Sequence, residues 1–155
     1  MLKTNSRIIF VFVSCAAILG FARPVFAYES GIIKTVQGQV RIVRGDRSLE
    51  ARVGVPVQER DRVIVQDASS VGISMSDETL ISLGRNSTMV IDKYSYDPVT
   101  RDGQITTSIL KGTLRYVTGL IGRAHPKAIM VTTNNSTIGI RGTEFIIEVP
   151  DGNEK

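Results

Sequence analysis

Cysteine and histidine occur once each among 155 residues, as Cys15 and His125, and tryptophan is missing. A metal centre of His and Cys ligands needs three or four of them, so that class of site is excluded. A lone cysteine closes no intramolecular disulfide. With four Tyr and five Phe, the core has to come largely from Val, Ile, Leu and Met. No serine sits in Gly-x-Ser-x-Gly, the turn that exposes a hydrolase nucleophile. No segment keeps a 3.6-residue apolar period, so no substantial helix is expected beyond the N-terminus.

What is present begins with an N-terminal pattern. Lys3 and Arg7 precede Ile8–Ala22, which carries no charge, and Val25-Phe26-Ala27 fits a small-x-small cleavage site. That is the plan of a secretory signal peptide, with cleavage after Ala27. The uncharged run is 15 residues, short of the roughly 20 that a spanning helix needs, so a cleaved signal is preferred over a retained anchor. Phe12-Val13-Ser14-Cys15 has Phe where a lipobox carries Leu, which disfavours lipidation at Cys15. Two segments are therefore expected: a signal over residues 1–27 and one domain over 28–155. Removing the signal takes Lys3, Arg7 and Arg23 and no acid, leaving 128 residues and lowering the net charge from +4 to +1. No basic patch with interleaved aromatics remains, and nucleic acid is excluded as a partner.

The rest reads as short strands punctuated every 8–12 residues or so, the all-β pattern. Val40 and Ile42 alternate with Arg41, as do Val71, Ile73 and Met75 with Gly72, Ser74 and Ser76. Pro56 confines Val55–Val57 to an edge or loop, because proline cannot donate to a ladder. Tyr94–Gln104 reads as the longest irregular stretch, and Gly119–Pro126 as a second loop. Ile105–Leu110 and Thr113–Thr118 look like a hairpin around Lys111-Gly112. Ile129–Thr133 and Ile138–Val149 look like two closing strands, the second interrupted by Arg141-Gly142.

Five motifs in order resemble the FecR domain family of bacterial envelope proteins. They are Gly38-Gln39-Val40; Gly54 followed by Asp61-Arg62-Val63-Ile64-Val65; and Ser70 to Thr79 around Asp77-Glu78. Leu110-Lys111-Gly112-Thr113-Leu114 and Arg141-Gly142-Thr143-Glu144-Phe145 complete the set. Arg60 and Glu78 stand where the family carries glycine. A type I′ turn wants φ > 0 at both central residues, so a different turn is expected at Glu78. The resemblance extends from Gly31 to Val149. It implies an all-β, single-domain antiparallel sandwich, jelly-roll-like, in the periplasm. It also implies a relay from an outer-membrane receptor to a sigma factor. Founding members place a cytoplasmic anti-sigma segment ahead of the apolar stretch. The seven residues ahead of it here are too few for that, so signalling is expected to run through an envelope partner.

The residues that carry the resemblance, Gly38, Gly54, Asp61, Asp77, Gly112, Arg141, Gly142, Thr143 and Phe145, are expected to be structural. Arg141 reads either as a ligand-binding guanidinium or, preferred, as a partly buried strut paired to Asp61 or Asp77, with Gly142 giving room. His125 reads as a solvated loop residue before Pro126 rather than a general base. Asp92, Asp97 and Asp102 read as turn formers rather than a Ca²⁺ site, since no EF-hand spacing is present. Asn86, Asn134 and Asn135 match glycosylation acceptors but suit turns. Tyr94, Tyr96 and Tyr116 would give an adhesive face over Phe145. No cofactor, metal or catalytic residue is expected. The leading reading is a non-enzymatic module binding an envelope protein by a strand edge or the Tyr94–Gln104 loop. The alternative is a structural or glycan-associated module, and a hydrolase comes last.

Overall fold

The computed structural model describes residues 29–140 and 142–150. The signal segment, with Cys15 and Ala27, and the residue Arg141 lie outside the described residues. The described residues form twelve strands: β1 (Glu29–Gln37), β2 (Val40–Arg44), β3 (Arg47–Glu50), β4 (Pro56–Gln58), β5 (Arg62–Val65) and β6 (Ser70–Met75) come first. There follow β7 (Leu80–Leu83), β8 (Thr88–Tyr96), β9 (Gly103–Val117), β10 (Ile129–Thr132), β11 (Thr137–Gly139) and β12 (Glu144–Val149). One short helix, α1 (Leu120–Ala124), and a 3₁₀ turn at Pro126–Ala128 lie between β9 and β10.

The strands make two layers that share β9. One layer runs β4-β1-β6-β7-β9-β12, and the other runs β3-β2-β5-β8-β9-β10-β11. The sheet is thus a single surface curled on itself into a sandwich, as expected for an all-β single domain. One pairing departs from the antiparallel pattern: β10 lies parallel to the first half of β9, with Ile129 beside Ile105. The intervening α1 is what gives the chain length to return in the same direction.

Alternation decides which side chains enter the core. Ile42, Val63, Met89, Ile91, Ile105 and Ile109 come from one layer, and Ile33, Ile73, Ile81, Leu83, Leu114 and Tyr116 from the other. All are fully buried. Each such aliphatic side chain contributes about 1.5–3 kcal/mol of transfer free energy.

Several expectations are corrected. Lys111-Gly112 is not a hairpin turn. β9 runs through it for 15 residues, leaving one layer and entering the other. Gly112, at φ +86°, bends the strand instead of reversing it. The irregular stretch shrinks to residues 97–102, because β8 extends to Tyr96 and β9 starts at Gly103. The second loop holds α1. The last predicted strand splits: β11 pairs with β10 in one layer, and β12 pairs with β9 in the other. Between β11 and β12 the chain thus passes from one layer to the other.

The turn at Glu78 is also instructive. Glu78 N–H donates to Met75 O at 3.0 Å and Met75 N–H to Thr79 O at 2.8 Å. The loop therefore holds three residues rather than the two of a type I′ hairpin. A different turn was expected, yet Glu78 still adopts φ +67°, and Arg60 adopts φ +70°. Both side chains occupy left-handed backbone that glycine takes without cost. Arg60→Gly and Glu78→Gly are each expected to stabilise the fold by about 0.5–1 kcal/mol, the strain relieved exceeding the added unfolded-chain entropy. The check is a raised urea midpoint at unchanged slope.

Candidate functional site

Asp61 and Asp77, both fully buried, each centre a polar cluster. The first is built on register. β2 and β5 pair with Val43 opposite Arg62, which carries Arg44 opposite Asp61. Arg44 Nε donates to Asp61 Oδ1 at 2.8 Å and Nη2 to Oδ2 at 2.7 Å, a bidentate pair. Gln58 N–H donates to Asp61 Oδ2 and Arg44 Nη2 to Pro56 O. Asp61 is fully buried, so each of these donors offsets the cost of desolvating its carboxylate. The hydrogen bond to Asp61, above all, raises the Arg44 pKa, although burial opposes it. Arg141, read as a strut paired to Asp61 or Asp77, lies outside the described residues, and among those Arg44 is the partner of Asp61.

The second cluster centres on Asp77, also fully buried. Its carboxylate accepts from Thr79 Oγ1 at 2.7 Å, from Thr79 N–H at 3.3 Å and from Ile121 N–H at 3.3 Å. Ile121 lies in the first turn of α1, whose N-terminal N–H groups otherwise lack partners. Asp77 N–H donates to Tyr94 Oη, and Leu120 N–H donates to Asp77 O. Gly119 N–H donates to Thr79 Oγ1 at 3.0 Å. The preceding residue, Thr118, donates from its N–H to Thr143 O and from its hydroxyl to Gly142 O. Asp77 and the Gly142-Thr143 pair, 65 positions apart in the chain, thus belong to one network.

Tyr116 lies between these parts, stacked on Phe145 at 4.9 Å between ring centroids. Burial, and then the negative charge of Asp77, push its phenol pKa well above the ordinary value. The nearby Thr79 hydroxyl opposes this, but its proton goes to Asp77, and Tyr116 Oη makes no hydrogen bond. A raised folded-state pKa leaves stability unchanged below the unfolded value near 10 and removes it as pH rises beyond. Unfolding free energy is expected to fall by about 1.4 kcal/mol per pH unit above pH ~10 from this group alone. Tyr116→Phe should flatten that slope in pH-dependent urea melts. At neutral pH it should be neutral or stabilising by about 1 kcal/mol, since an unpaired buried hydroxyl is removed.

The remaining candidates separate. Gly38 and Gly54 take φ +73° and +87°. A Cβ on Gly142 would meet nothing within 4 Å, so no close backbone approach explains that glycine. His125 is half-exposed and pairs with Asp102 at 2.9 Å, a partner the sequence did not reveal. Asp92, on β8, accepts from Ser108 Oγ, and Asp97 accepts from the N–H groups of Val99 and Thr100, so these acids and Asp102 serve separate partners. Ser108 to Lys111 has Ser-x-x-Lys spacing but lies on extended β9, not on one turn of a helix. Asn86, at φ +53°, sits in a turn. The adhesive tyrosine face does not form: Tyr94 and Tyr116 point into the core, because the bulge between Ile91 and Lys93 turns Tyr94 to the side of Ile91 and alternation along β9 puts Tyr116 with Leu114.

What does reach the surface is a pair of sheet edges. Among the described residues β12 pairs only with β9, and β11 only with β10. The two edges are consecutive in the chain, β11 before β12. Between Ile138–Ile140 and Phe145–Ile147 they enclose an open groove of about 330 Å³. Ile138 and Ile146 are exposed there, and Phe145, Ile147 and Val149 are half-buried against the core.

The family model described as FecR protein matches residues 61–154. The chain belongs to the FecR family. The matched stretch contains Asp61, Asp77, Gly112, Arg141, Gly142, Thr143 and Phe145 and both open edges. It starts after Gly38 and Gly54, so the resemblance read from Gly31 onward is shorter in the family match, although β1–β4 belong to the same sandwich. No curated protein and no solved structure matches the chain. The FecR family is regulatory and non-enzymatic and is associated with envelope signalling. Among the described residues, no helix is long and apolar enough to cross a membrane.

Proposed function

We propose that this FecR-family chain is a non-enzymatic protein-binding module linked to envelope signalling. Residues 1–27 direct export and are cleaved after Ala27, and residues 28–155 act in the periplasm as one domain. The module engages an envelope protein through the open side of the sandwich. The observation that carries this reading is the groove between β11 and β12, inside the family-matched segment, where apolar side chains and unpaired edges coincide. Such an edge is a ready template for another chain and is ordinarily blunted. A sugar platform is less well supported, because Tyr94 and Tyr116 are buried.

The test is photo-crosslinking in intact cells from a reactive residue at position 146, with position 53 as the exposed control away from the groove. A discrete protein adduct from 146 and not from 53 is the expected result. Equal labelling from both positions, or adducts only with polysaccharide machinery, would move the assignment to a structural module.

A further inference from the structure

Resting on that reading, we infer that β12 receives an extended strand from another protein with the order basic, apolar, apolar, apolar, basic. The hydrogen-bond phase gives the geometry. Thr118 N–H donates to Thr143 O, and the ladder continues with Phe145 opposite Tyr116 and Ile147 opposite Leu114. In an antiparallel ladder, hydrogen-bonded pairs alternate with non-bonded ones. Thr143, Phe145, Ile147 and Val149 therefore spend their backbone groups on β9. Glu144, Ile146 and Glu148 direct theirs to the open edge.

Side-chain alternation gives the chemistry. Glu144, Ile146 and Glu148 share the outer face of β12, and Ile146 is 64% exposed. An added strand places one residue beside each of them, where cross-strand pairing favours basic, apolar and basic. Its two intervening residues face inward beside Phe145 and Ile147, into the groove closed by Ile138–Ile140, and must be apolar. Glu144 is already held by Arg115 at 2.7 Å on the same surface, so Glu148 offers the more available charge.

A second copy is disfavoured by the same charges. Full antiparallel pairing of β12 with itself centres on Ile146 and sets each Glu144 opposite a Glu148. Parallel pairing sets each glutamate beside its own counterpart. Both place like charges directly opposite one another. The glutamates flanking Ile146 thus deter self-assembly while leaving a complementary strand welcome.

The experiment titrates the purified chain with two synthetic nonapeptides having Lys-Val-Val-Val-Lys or Glu-Val-Val-Val-Glu between the same Ser-Gly ends, read by fluorescence anisotropy. The lysine peptide should bind at least tenfold tighter, with the margin shrinking in salt. The double variant Glu144→Lys/Glu148→Lys should reverse the preference. Ile146→Pro removes an outward N–H and leaves the β9 ladder intact, as proline does on an edge. It should keep the urea midpoint and lose binding tenfold or more. Equal affinity for both peptides, undiminished binding by folded Ile146→Pro, or a β12-dependent dimer in sedimentation would each overturn the inference. If neither peptide binds but position 146 still crosslinks one protein in cells, this strand chemistry is wrong and the module reading stands. If both fail, both fall.

Discussion

Asp77→Ala is expected to lower the unfolding free energy by about 4 kcal/mol, because it strips a fully buried acceptor from three donors at once. Thr79 N–H, Thr79 Oγ1 and Ile121 N–H all lose a partner, in a place water does not reach. For a domain of this size that is on the order of 15 °C in melting temperature. Asp77→Asn keeps the shape and one carbonyl oxygen, so it should cost about half as much. The location of the damage is a second readout. α1 has no side-chain cap of its own and no acid in its first turn, so Asp77 is the group that holds its start. Hydrogen exchange at Ile121 and Gly119 should accelerate in Asp77→Ala by more than the global change accounts for. Thr118 follows, because it precedes Gly119 and ties down Gly142 and Thr143. Uniform acceleration matching the global loss would show that Asp77 stabilises the domain without organising the crossing between layers.

That network also marks what could be read from the amino acids and what could not. Alternation and turn residues located most strands, since a half-buried strand needs a period of two. The run Val71, Ile73, Met75 and the edge proline at Pro56 are where that reading placed them. Lys111-Gly112 misled because a glycine between two β segments looks the same whether the chain reverses or bends. The difference lies in Ser87, a non-local neighbour. Arg44 as a partner of Asp61 was not legible either, since it depends on the register of β2 against β5. The open groove was harder still. Whether a strand is an edge is a property of the topology, and nothing within Glu144–Val149 announces it. The interruption at Arg141-Gly142 was visible as an oddity, and it falls between β11 and β12, which belong to different layers. Exposed Ile146 between two glutamates was a local cue, legible only once the hydrogen-bond phase of β12 was known.

Gly112→Ala is expected to cost about 3 kcal/mol or more, while Gly142→Ala should stay within about 0.5 kcal/mol. Both glycines belong to the family motifs, so the contrast separates two reasons for a glycine. At Gly112 the backbone has φ +86°, and an added Cβ would lie 2.5 Å from Ser87 Cα and closer still to Ser87 Oγ. Relief requires moving backbone, because the near atoms are not the end of a flexible side chain. The same shift breaks the bond from Thr113 N–H to Ser87 Oγ at 2.9 Å and the return bond from Ser87 Oγ to Thr113 O at 3.2 Å. Those bonds fix the point at which β9 changes layers, so β12, paired along Gly112–Val117, loses its template. Gly142 has open space around its would-be Cβ and no left-handed backbone, and its carbonyl accepts from Thr118. Alanine keeps that carbonyl. Paired urea melts of the two variants decide the matter. Equal losses would mean that Gly142 is constrained by something other than the room around it, and a harmless Gly112→Ala would mean that β9 can bend without a left-handed residue. If the strand bends only at glycine, Gly112→Ala should also abolish binding at the β12 edge, although the edge residues themselves are untouched.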